Sequence, residues 1–383
     1  MSVLQKIIKL IVFKCIDFLI WPPKKTGPKT ILLLRLDAIG DYILFRNFIE
    51  ILSKSEKYKG YRVTLLGNQI WESIARELDG KFIDRFIWLD IKRFGEDYRY
   101  RYQFLKEITS VKYEIIINPE YSRRFWDTDW IVKKVSANQK IGNDGNLSNR
   151  KKWQKQIGDS YYTKLIPSSP KLLFEFYRNK EFFEKILDID IQLKKTQITP
   201  PAITSNLLLP TKFVILFLGS STTYSKWPVK KFAQIAKYVK LELGLEIVIC
   251  GGPIDIDNAN EFKIEYRDSY FDFVGKTTLV ELVIILSHAS LLISNETSAP
   301  HFAVALGIPT IVIYNGNHFG RFTPYPSDMT SKYAVVCHPS IEQNFEAYKL
   351  LSNKCGYSST LDINKIEVQQ VIDEINKVYS NNS

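Results

Sequence analysis

The sequence predicts an α/β protein with two doubly wound domains, and three observations carry that prediction. Strand-like and helix-like runs alternate from Thr30, the alternation stops at a segment rich in Pro, Thr and Ser, and it starts again at Phe213. Apolar strands that alternate with amphipathic helices are typical of a parallel sheet covered by helices on both faces. A chain of 383 residues is long enough for two such domains, each with its own core.

The first domain is predicted over residues 24–195. Its strand-like runs are TILLLRL, YRVTLLG, RFIWLD and YEIIINP, and the helix-like runs between them include YILFRNFIEILSK and WESIARELDG. A basic, partly helical region completes the domain. Residues 196–211, TQITPPAITSNLLLPT, are predicted to form a linker because Pro, Thr and Ser are frequent there.

The second domain is predicted over residues 212–355, and a C-terminal helix and tail over residues 356–383. The runs FVILFLG, LEIVICGG, SLLIS and TIVIY are strand-like, whereas KKFAQIAKYVKLELG, TLVELVIILSHA and HFAVALG are helix-like. We expect two Rossmann-like domains that face a cleft, with ligands bound at the carboxyl ends of the strands.

Residues 1–23 predict an amphipathic N-terminal helix that ends at two prolines. At about 100° per residue, its four charged side chains fall in one sector, opposite an apolar sector. The charged residues are Lys6, Lys9, Lys14 and Asp17, and the apolar ones are Leu4, Ile7, Ile8, Ile11, Cys15 and Phe18. Four charges argue against a membrane-spanning helix. We predict an anchor on the membrane surface, and a helix docked on the protein's own core is the alternative.

The composition is that of a soluble globular protein with one strongly basic half. Residues 1–200 hold 37 Lys and Arg against 24 Asp and Glu, while residues 201–383 hold 15 against 17. The first half is therefore predicted to face an anionic partner such as a membrane surface, a phosphorylated acceptor or nucleic acid, and a solvated basic surface is the alternative. The four cysteines form no CxxC pair, so the sequence indicates neither a disulfide framework nor a zinc site.

Three polar clusters follow predicted strands. In DAIGD (Asp37–Asp41), Gly40 permits a close turn, and Asp41 stands where it can either cap the next helix or act as a general base. In LGSSTTYSKWP, hydroxyls precede Lys226 and a helix start, which predicts a phosphate cradle that is not a Walker loop. In CGGPIDIDN, Asp255 or Asp257 is a weaker candidate for binding ribose hydroxyls.

The stretch SNETSAPHFAVALGIP (Ser294–Pro309) predicts a strand end, a turn and a short helix. Thr297 or Ser298 suits the N-cap, Pro300 the first turn and Gly307 the C-terminal stop. Backbone N–H groups at such a helix start bind phosphate, and the helix dipole strengthens that binding. An ordinary capped crossover helix with a hydrogen-bonded histidine is the alternative.

Other motifs exclude several kinds of site. A DxD pattern occurs three times, at Asp127, Asp188 and Asp255, which shows how little one occurrence means. The histidines and cysteines lack metal-ligand spacing, so no metal site is predicted. No GxGxxG follows a strand and no GxSxG is present, which argues against a dinucleotide enzyme and an α/β-hydrolase.

Taken in order, the motifs resemble those of the family 9 glycosyltransferases, typified by ADP-heptose:lipopolysaccharide heptosyltransferases. The resemblance covers residues 30–379 and rests on LLLRLDAIGDYIL, YEIIINP with KIG, SKWP, VICGGPID, and SNETSAPHFAVALGIPTIVIYNGN with FGRFTPYP behind it. It implies the GT-B fold, in which the first domain holds mainly the acceptor and the second mainly the nucleotide sugar.

The resemblance also implies roles for individual residues. Asp41 is the general base, and Lys226 contacts the donor diphosphate. The implied donor-binding residues are Gly40, Ser221, Thr222, Asp255 (for ribose), Glu296, Thr297, Ser298 and His301. Two of them depart from the family pattern Asp-Thr-Gly-x-x-His, because Glu296 is one methylene longer than aspartate and Ser298 replaces glycine.

We therefore expect an inverting, metal-independent glycosyltransferase without a cofactor that moves a heptose from ADP-heptose to a lipopolysaccharide-core acceptor. The alternatives are another donor, such as a UDP-amino sugar, and a catalytically silent sugar-nucleotide-binding protein on the same fold. The expected partners are a nucleotide sugar, an anionic lipid-linked glycan and a membrane surface, but not nucleic acid. Arg123 and Arg124 are weak candidates for acceptor contact. The expected location is the inner face of the bacterial cytoplasmic membrane.

Overall fold

A computed structural model of the chain describes residues 8, 11–13, 15–16, 18–20, 27–202, 207–220, 222–353, 359 and 361–380. The chain divides into two compact units. Unit 1 comprises Met1–Ala38, Phe48–Ser168 and Arg178–Ile191, and unit 2 comprises Ile39–Asn47, Ser169–Tyr177 and Gln192–Ser383.

Unit 1 contains a six-stranded parallel sheet with the order β3-β2-β1-β4-β5-β6. Its strands are β1 (Thr30–Arg35), β2 (Arg62–Asn68), β3 (Arg85–Leu89), β4 (Tyr113–Asn118), β5 (Ala137–Asn143) and β6 (Lys164–Ile166). Every residue of the central strand β1 is buried, as its unbroken apolar run predicts for a strand covered on both faces. In the register, Leu33 pairs with Leu65 and Ile117.

Helices follow these strands in alternation. They are α1 (Ile39–Phe45), α2 (Asn47–Ser53), α3 (Glu72–Asp79), α4 (Ile91–Glu96), α5 (Tyr98–Ile108), α6 (Trp130–Lys134), α7 (Lys152–Asp159) and α8 (Glu175–Leu187). A π-helical turn, Phe125–Asp129, precedes α6.

Unit 2 repeats the architecture with the order β12-β11-β10-β7-β8-β9, again all parallel. Its strands are β7 (Phe213–Phe217), β8 (Glu246–Cys250), β9 (Phe271–Asp272), β10 (Leu291–Asn295), β11 (Thr310–Tyr314) and β12 (Tyr333–Cys337). Its helices are α9 (Val229–Leu243), α10 (Ile256–Glu265), α11 (Leu279–Ser287), α12 (Ala299–Leu306), α13 (Pro339–Glu342), α14 (Phe345–Asn353) and α15 (Val368–Ser380). Two doubly wound α/β sheets are thus confirmed.

Two early segments belong to unit 2 although they lie in the stretch predicted for the first domain. The helix α1 packs against α12 within that unit. In the second segment, the Glu175 N–H donates to the Arg321 carbonyl at 2.8 Å, and the Arg321 Nε lies 2.9 Å from the Glu175 carboxylate. These contacts join distant parts of the sequence, so the period of the local pattern does not reveal them.

The predicted N-terminal helix lies partly outside the described residues, as do residues 203–206 of the predicted linker. Every described position from Ile8 to Leu19 is helical. Phe13, Ile16 and Ile20 are buried in clusters of unit 1, whereas other apolar side chains of this segment are exposed. None of the described helices is both long and apolar enough to cross a membrane.

Candidate active site

The candidate donor site lies at the carboxyl ends of β7 and β10 in unit 2. The strand β7 pairs with β10 on one side and with β8 on the other, so the chain leaves β7 and β10 at the point where the strand order reverses. Such a switch point opens a crevice that binds ligands in doubly wound sheets. The loop with Lys226 follows β7, and the loop with Glu296 follows β10.

Two asparagines at neighbouring strand ends fix the Lys226 loop. The Asn295 Oδ1 accepts from the Trp227 N–H at 3.0 Å, and the Asn315 Nδ2 donates to the Tyr224 carbonyl at 2.8 Å. Lys226 itself is about one-third exposed. The two asparagines therefore fix the backbone on either side of Lys226 while its ammonium group still reaches solvent. Neither asparagine was predicted to act at this site.

Asp255 faces Lys226. Its Oδ1 lies 3.8 Å from the Lys226 Nζ, and its Oδ2 accepts from the Gly252 N–H at 2.9 Å. The carboxylate also lies against Gly219, where any Cβ would collide with it. Asp255 is only 4% exposed, so the structure places it as a buried counter-charge for Lys226. Its contact with ribose stays a prediction.

The N-terminus of α12, which we call the helix mouth, has the predicted local structure. Ser298 is the N-cap residue of α12, Pro300 lies in the first turn, and Gly307 ends the helix with φ 78°. The hydroxyl of Thr297 accepts from the Ala299 N–H at 3.2 Å, so Thr297 supplies the side-chain cap. On the Lys226 loop, the exposed Thr222 hydroxyl pairs with that of Ser225, while Ser221 lies outside the described residues.

Glu296 has a carboxyl group with one unsatisfied oxygen. Its Oε2 is shielded from solvent and has no hydrogen-bond partner within the described part of the chain. Burial raises the pKa of Glu296 to about 8, although a hydrogen bond with Asn317 opposes the rise. The carboxyl group is therefore mostly protonated at neutral pH and places little negative charge at the start of α12.

The motif containing Asp41 packs directly on the helix mouth within unit 2. A Cβ on Gly40 would lie 2.7 Å from the His301 Cδ2, so only glycine fits there. Asp41 is half-buried in the first turn of α1. The candidate base and the start of α12 are thus joined by one tight contact.

His301, which forms the α12 side of the contact with Gly40, is buried. Its Nδ1 lies 2.7 Å from the Tyr325 hydroxyl, and burial lowers the pKa of His301 to about 4. The ring is therefore neutral at neutral pH and holds the Gly40 turn. A direct contact of His301 with the donor stays a prediction.

A second polar cluster lies at the switch point of unit 1, between the ends of β1 and β4. The Glu120 carboxylate accepts from the Leu36 N–H at 2.7 Å and from the Thr128 hydroxyl at 2.8 Å. The Arg124 Nη2 donates to the Leu36 carbonyl at 2.9 Å. These bonds hold both backbone groups of Leu36, which begins the loop leading to Asp41.

Asp37, the next residue of that loop, is also held. Its carboxylate lies 2.7 Å from the Arg35 Nε, and its carbonyl accepts from the Trp71 Nε1 at 3.1 Å. Glu120 was missed in the sequence because it lies beyond the strand-like run YEIIINP, and its partner Leu36 is distant in sequence. Burial raises the pKa of Glu120 to about 7, with the negative charge of Asp37 adding to the rise and Arg124 opposing it.

Because the pKa of Glu120 is raised, the free energy of unfolding of the wild type should fall as pH rises. The Glu120→Gln substitution should remove this part of the pH dependence. Between the ordinary pKa of 4.5 and about 7, folded protein retains a proton that unfolded protein releases, so the free energy of unfolding falls as pH rises. We expect the free energy of unfolding of Glu120→Gln, relative to wild type, to rise by about 3 kcal/mol between pH 4.5 and pH 8. Denaturant unfolding measured at both pH values tests this.

The matched control for that measurement is Glu107→Gln, because the Glu107 side chain is 59% exposed. Its free energy of unfolding relative to wild type should change little with pH. A Glu120→Gln difference that stays constant from pH 4.5 to pH 8 would contradict the assignment of the buried titration to Glu120.

The prediction that Arg123 contacts the acceptor is wrong, because Arg123 is a buried structural residue. Its side chain is 0% exposed and forms ion pairs with Asp129 and Asp159. Its guanidinium also stacks over Tyr162. A guanidinium committed in this way offers no surface to an acceptor. Arg124 is 30% exposed and pairs with Asp127, so its acceptor contact stays a prediction.

The residues of the DxD pattern at Asp127 form ion pairs and hydrogen bonds within unit 1. Asp129 is fully buried and pairs with Arg123 and Arg150. The Thr128 hydroxyl bonds to Glu120. Among the described residues there is no group of three His, Cys, Asp or Glu side chains that could hold a metal ion.

We compared the sequence with models of known protein families and with known proteins. The family model described as glycosyltransferase family 9 (heptosyltransferase) matches residues 101–350. The lipopolysaccharide heptosyltransferase 3 of Escherichia coli is 22% identical over 244 residues, which cover 61% of this chain and 68% of that protein. The lipopolysaccharide heptosyltransferase 2 of Escherichia coli K12 is 27% identical over 103 residues, which cover 26% and 29%.

Comparison of the structure gives the same fold. A family 9 glycosyltransferase from Veillonella parvula matches with a TM-score of 0.70 at 20% identity, over 94% of this chain and 99% of that chain. The Escherichia coli heptosyltransferase WaaC, solved with ADP, matches with a TM-score of 0.64 at 15% identity, over 91% and 97%. These likenesses confirm the GT-B fold.

Proposed function

Because the chain belongs to glycosyltransferase family 9, we propose that it transfers a heptose from ADP-heptose to a lipopolysaccharide-core acceptor with inversion at the anomeric carbon. The observation that supports this proposal best is the unit 2 switch point. There Lys226, the exposed residue Thr222 and the start of α12 flank the carboxyl ends of β7 and β10. The WaaC protein that shares the fold has been solved with ADP-2-deoxy-2-fluoro heptose.

The leaving diphosphate is stabilised by groups of unit 2 in this proposal. Lys226 supplies a fixed positive charge, and the N-terminus of α12 supplies the positive end of the helix dipole. Negative charge builds on the diphosphate as the bond to the sugar breaks, so these groups bind the transition state more tightly than the ground state. This arrangement supplies positive charge without a metal ion.

Asp41 acts as the general base. It takes the proton from an acceptor hydroxyl as that oxygen attacks the anomeric carbon from the face opposite the nucleotide, and the bond between the sugar and the diphosphate breaks. The contact between Gly40 and His301 supports this role, because it sets the Asp41 turn against the helix start that receives the donor. The acceptor is an anionic, lipid-linked glycan at the inner face of the cytoplasmic membrane, in keeping with the basic first half of the chain.

The two departures from the family pattern, Glu296 and Ser298, suggest a second candidate donor for the same reaction. Its carboxyl group has an unsatisfied oxygen beside the helix mouth, and the raised pKa makes that group a hydrogen-bond donor at neutral pH. With Ser298 in place of glycine, the pocket for the sugar differs from that of the family pattern. A donor other than ADP-heptose, such as a UDP-amino sugar, is therefore the alternative.

A donor panel distinguishes the two candidates. Purified protein is incubated with ADP-, UDP- and GDP-sugars and a truncated lipopolysaccharide core, and mass spectrometry records the nucleotide released and the mass gained by the acceptor. We expect release of ADP together with the mass gain of one heptose. Release of UDP with the mass of an amino sugar would identify the alternative donor, and no mass gain with any donor would contradict the proposal.

A further inference from the structure

Unit 1 exposes large apolar side chains on the N-terminal segment, at the start of α5 and on α7, which meet through an aromatic cluster. We define the apolar patch by seven residues whose exposed fractions run from 41% to 80%. They are Ile8, Ile11, Phe18, Leu19, Tyr98, Trp153 and Ile157. Scattered exposed apolar residues are ordinary, but a group of this size on elements joined by one aromatic cluster indicates a surface that meets a partner.

The N-terminal segment has one side that packs on the core of unit 1 and another side that is exposed to solvent. Phe13, Ile16 and Ile20 are at most 8% exposed and pack in the core of unit 1. At about 100° per residue, Ile8, Ile11, Phe18 and Leu19 fall in another sector of the same helical wheel. Phe18 is 80% exposed and Leu19 is 61% exposed. Docking of one side therefore holds the segment in place while it presents an apolar side to solvent.

An aromatic chain connects this segment to α7. The Phe13 ring lies 5.8 Å from the Trp126 ring, Trp126 lies 4.9 Å from Phe125, and Phe125 lies 5.5 Å from Trp153. Phe13 also contacts Tyr98, with ring centroids 6.3 Å apart. Trp153 and Ile157 are one helical turn apart on α7 and are 47% and 44% exposed.

The charge around the α7 part of the patch is positive. Lys151 and Lys152 are exposed at the start of α7, and Lys133 is exposed beside Trp130. Asp159, the acid at the end of α7, is already neutralised by Arg123 and Lys155. Apolar side chains with tryptophan, tyrosine and lysine at their border are the combination that enters the headgroup region of an anionic bilayer.

We propose that the apolar patch of unit 1 docks the protein on an anionic lipid bilayer, with the N-terminal segment and α7 entering the headgroup region together. The inference builds on the lipid-linked acceptor of the proposed function. It goes further in assigning Trp153 and Ile157 of α7, and not the N-terminal segment alone, to the docking surface. Docking of this kind holds the enzyme at the surface where a lipid-linked acceptor is found.

Co-sedimentation with vesicles tests the proposal. The full-length protein should sediment with phosphatidylethanolamine–phosphatidylglycerol vesicles and much less with neutral phosphatidylcholine vesicles. Phe18→Ser with Leu19→Ser, and separately Trp153→Ala with Ile157→Ser, should each weaken binding at least about tenfold, since each pair removes a large part of the buried apolar area. The matched control is Leu241→Ser with Ile264→Ser in unit 2, where the two side chains are 79% and 61% exposed. That control should bind vesicles as wild type does.

Two further measurements separate this proposal from its rivals. Brominated lipids should quench tryptophan fluorescence of the wild type, and Trp153→Phe should lose much of that quenching. Transfer to a soluble truncated acceptor should be unchanged in both patch variants, so loss of docking is distinguishable from failure of the proposed function. Vesicle binding that survives both double substitutions would overturn the proposal. So would a patch-dependent dimer, detected by analytical ultracentrifugation, that fails to bind vesicles.

Discussion

The Asp41→Asn protein is expected to lose glycosyl transfer while it still binds the nucleotide. Asparagine has the size of aspartate and fits the first turn of α1, but it cannot accept the proton of an attacking hydroxyl. A general base typically contributes a factor of about 10² to 10⁴, so we expect kcat to fall by at least about 10². Steady-state assays of transfer measure this loss, and calorimetry with ADP measures nucleotide binding, which should change by less than about threefold.

The matched control for Asp41→Asn is Glu72→Gln, because Glu72 also lies in the first turn of a helix, α3. It should keep the wild-type rate. An Asp41→Asn protein with wild-type turnover would show that another group takes the proton. If the variant instead lost ADP binding and transfer to the same degree, Asp41 would be a structural residue of the turn that packs on His301.

The sequence predicted the architecture because the relevant signal is local. The central strands β1, β7, β10 and β11 are mainly apolar and fully buried, as expected for strands covered on both faces. The polar strand β5 and the two-residue strand β9 lack this pattern and were not among the predicted runs. The end signals of α12 were equally local, since Pro300 and Gly307 act through the backbone conformations that proline and glycine adopt. These features needed no knowledge of which strands are neighbours.

The roles of several site residues depend on neighbours that sequence does not reveal. Asn295 is informative only once β10 is known to lie beside β7, because its side chain contacts the chain after β7. Glu120 bonds to Leu36 because β4 pairs with β1. Arg123, in the polar loop after YEIIINP, was predicted to contact the acceptor, yet it is buried and forms ion pairs with Asp129 and Asp159. Burial and pairing are properties of the tertiary structure.

The Lys226→Met protein is expected to lose both donor affinity and turnover. Methionine keeps most of the stem but removes the positive charge that lies 3.8 Å from the Asp255 carboxylate. A charge-assisted contact that strengthens as the diphosphate leaves is worth more in the transition state than in the ground state. We expect ADP binding to weaken by about tenfold and kcat to fall by about 10² to 10³, measured by calorimetry and by steady-state assay.

A double-mutant cycle shows whether Asp255 works through Lys226. Asp255 faces Lys226 from a buried position, so its removal should release the ammonium group from its fixed place. If that is its main role, Asp255→Asn costs activity in the wild-type background and costs little more in Lys226→Met. Lys230→Met, an exposed lysine on α9, is the matched control for loss of a nearby positive charge and should leave ADP binding unchanged. Fully additive effects of Asp255→Asn and Lys226→Met would show that Asp255 acts independently of Lys226, for example on the ribose of the donor.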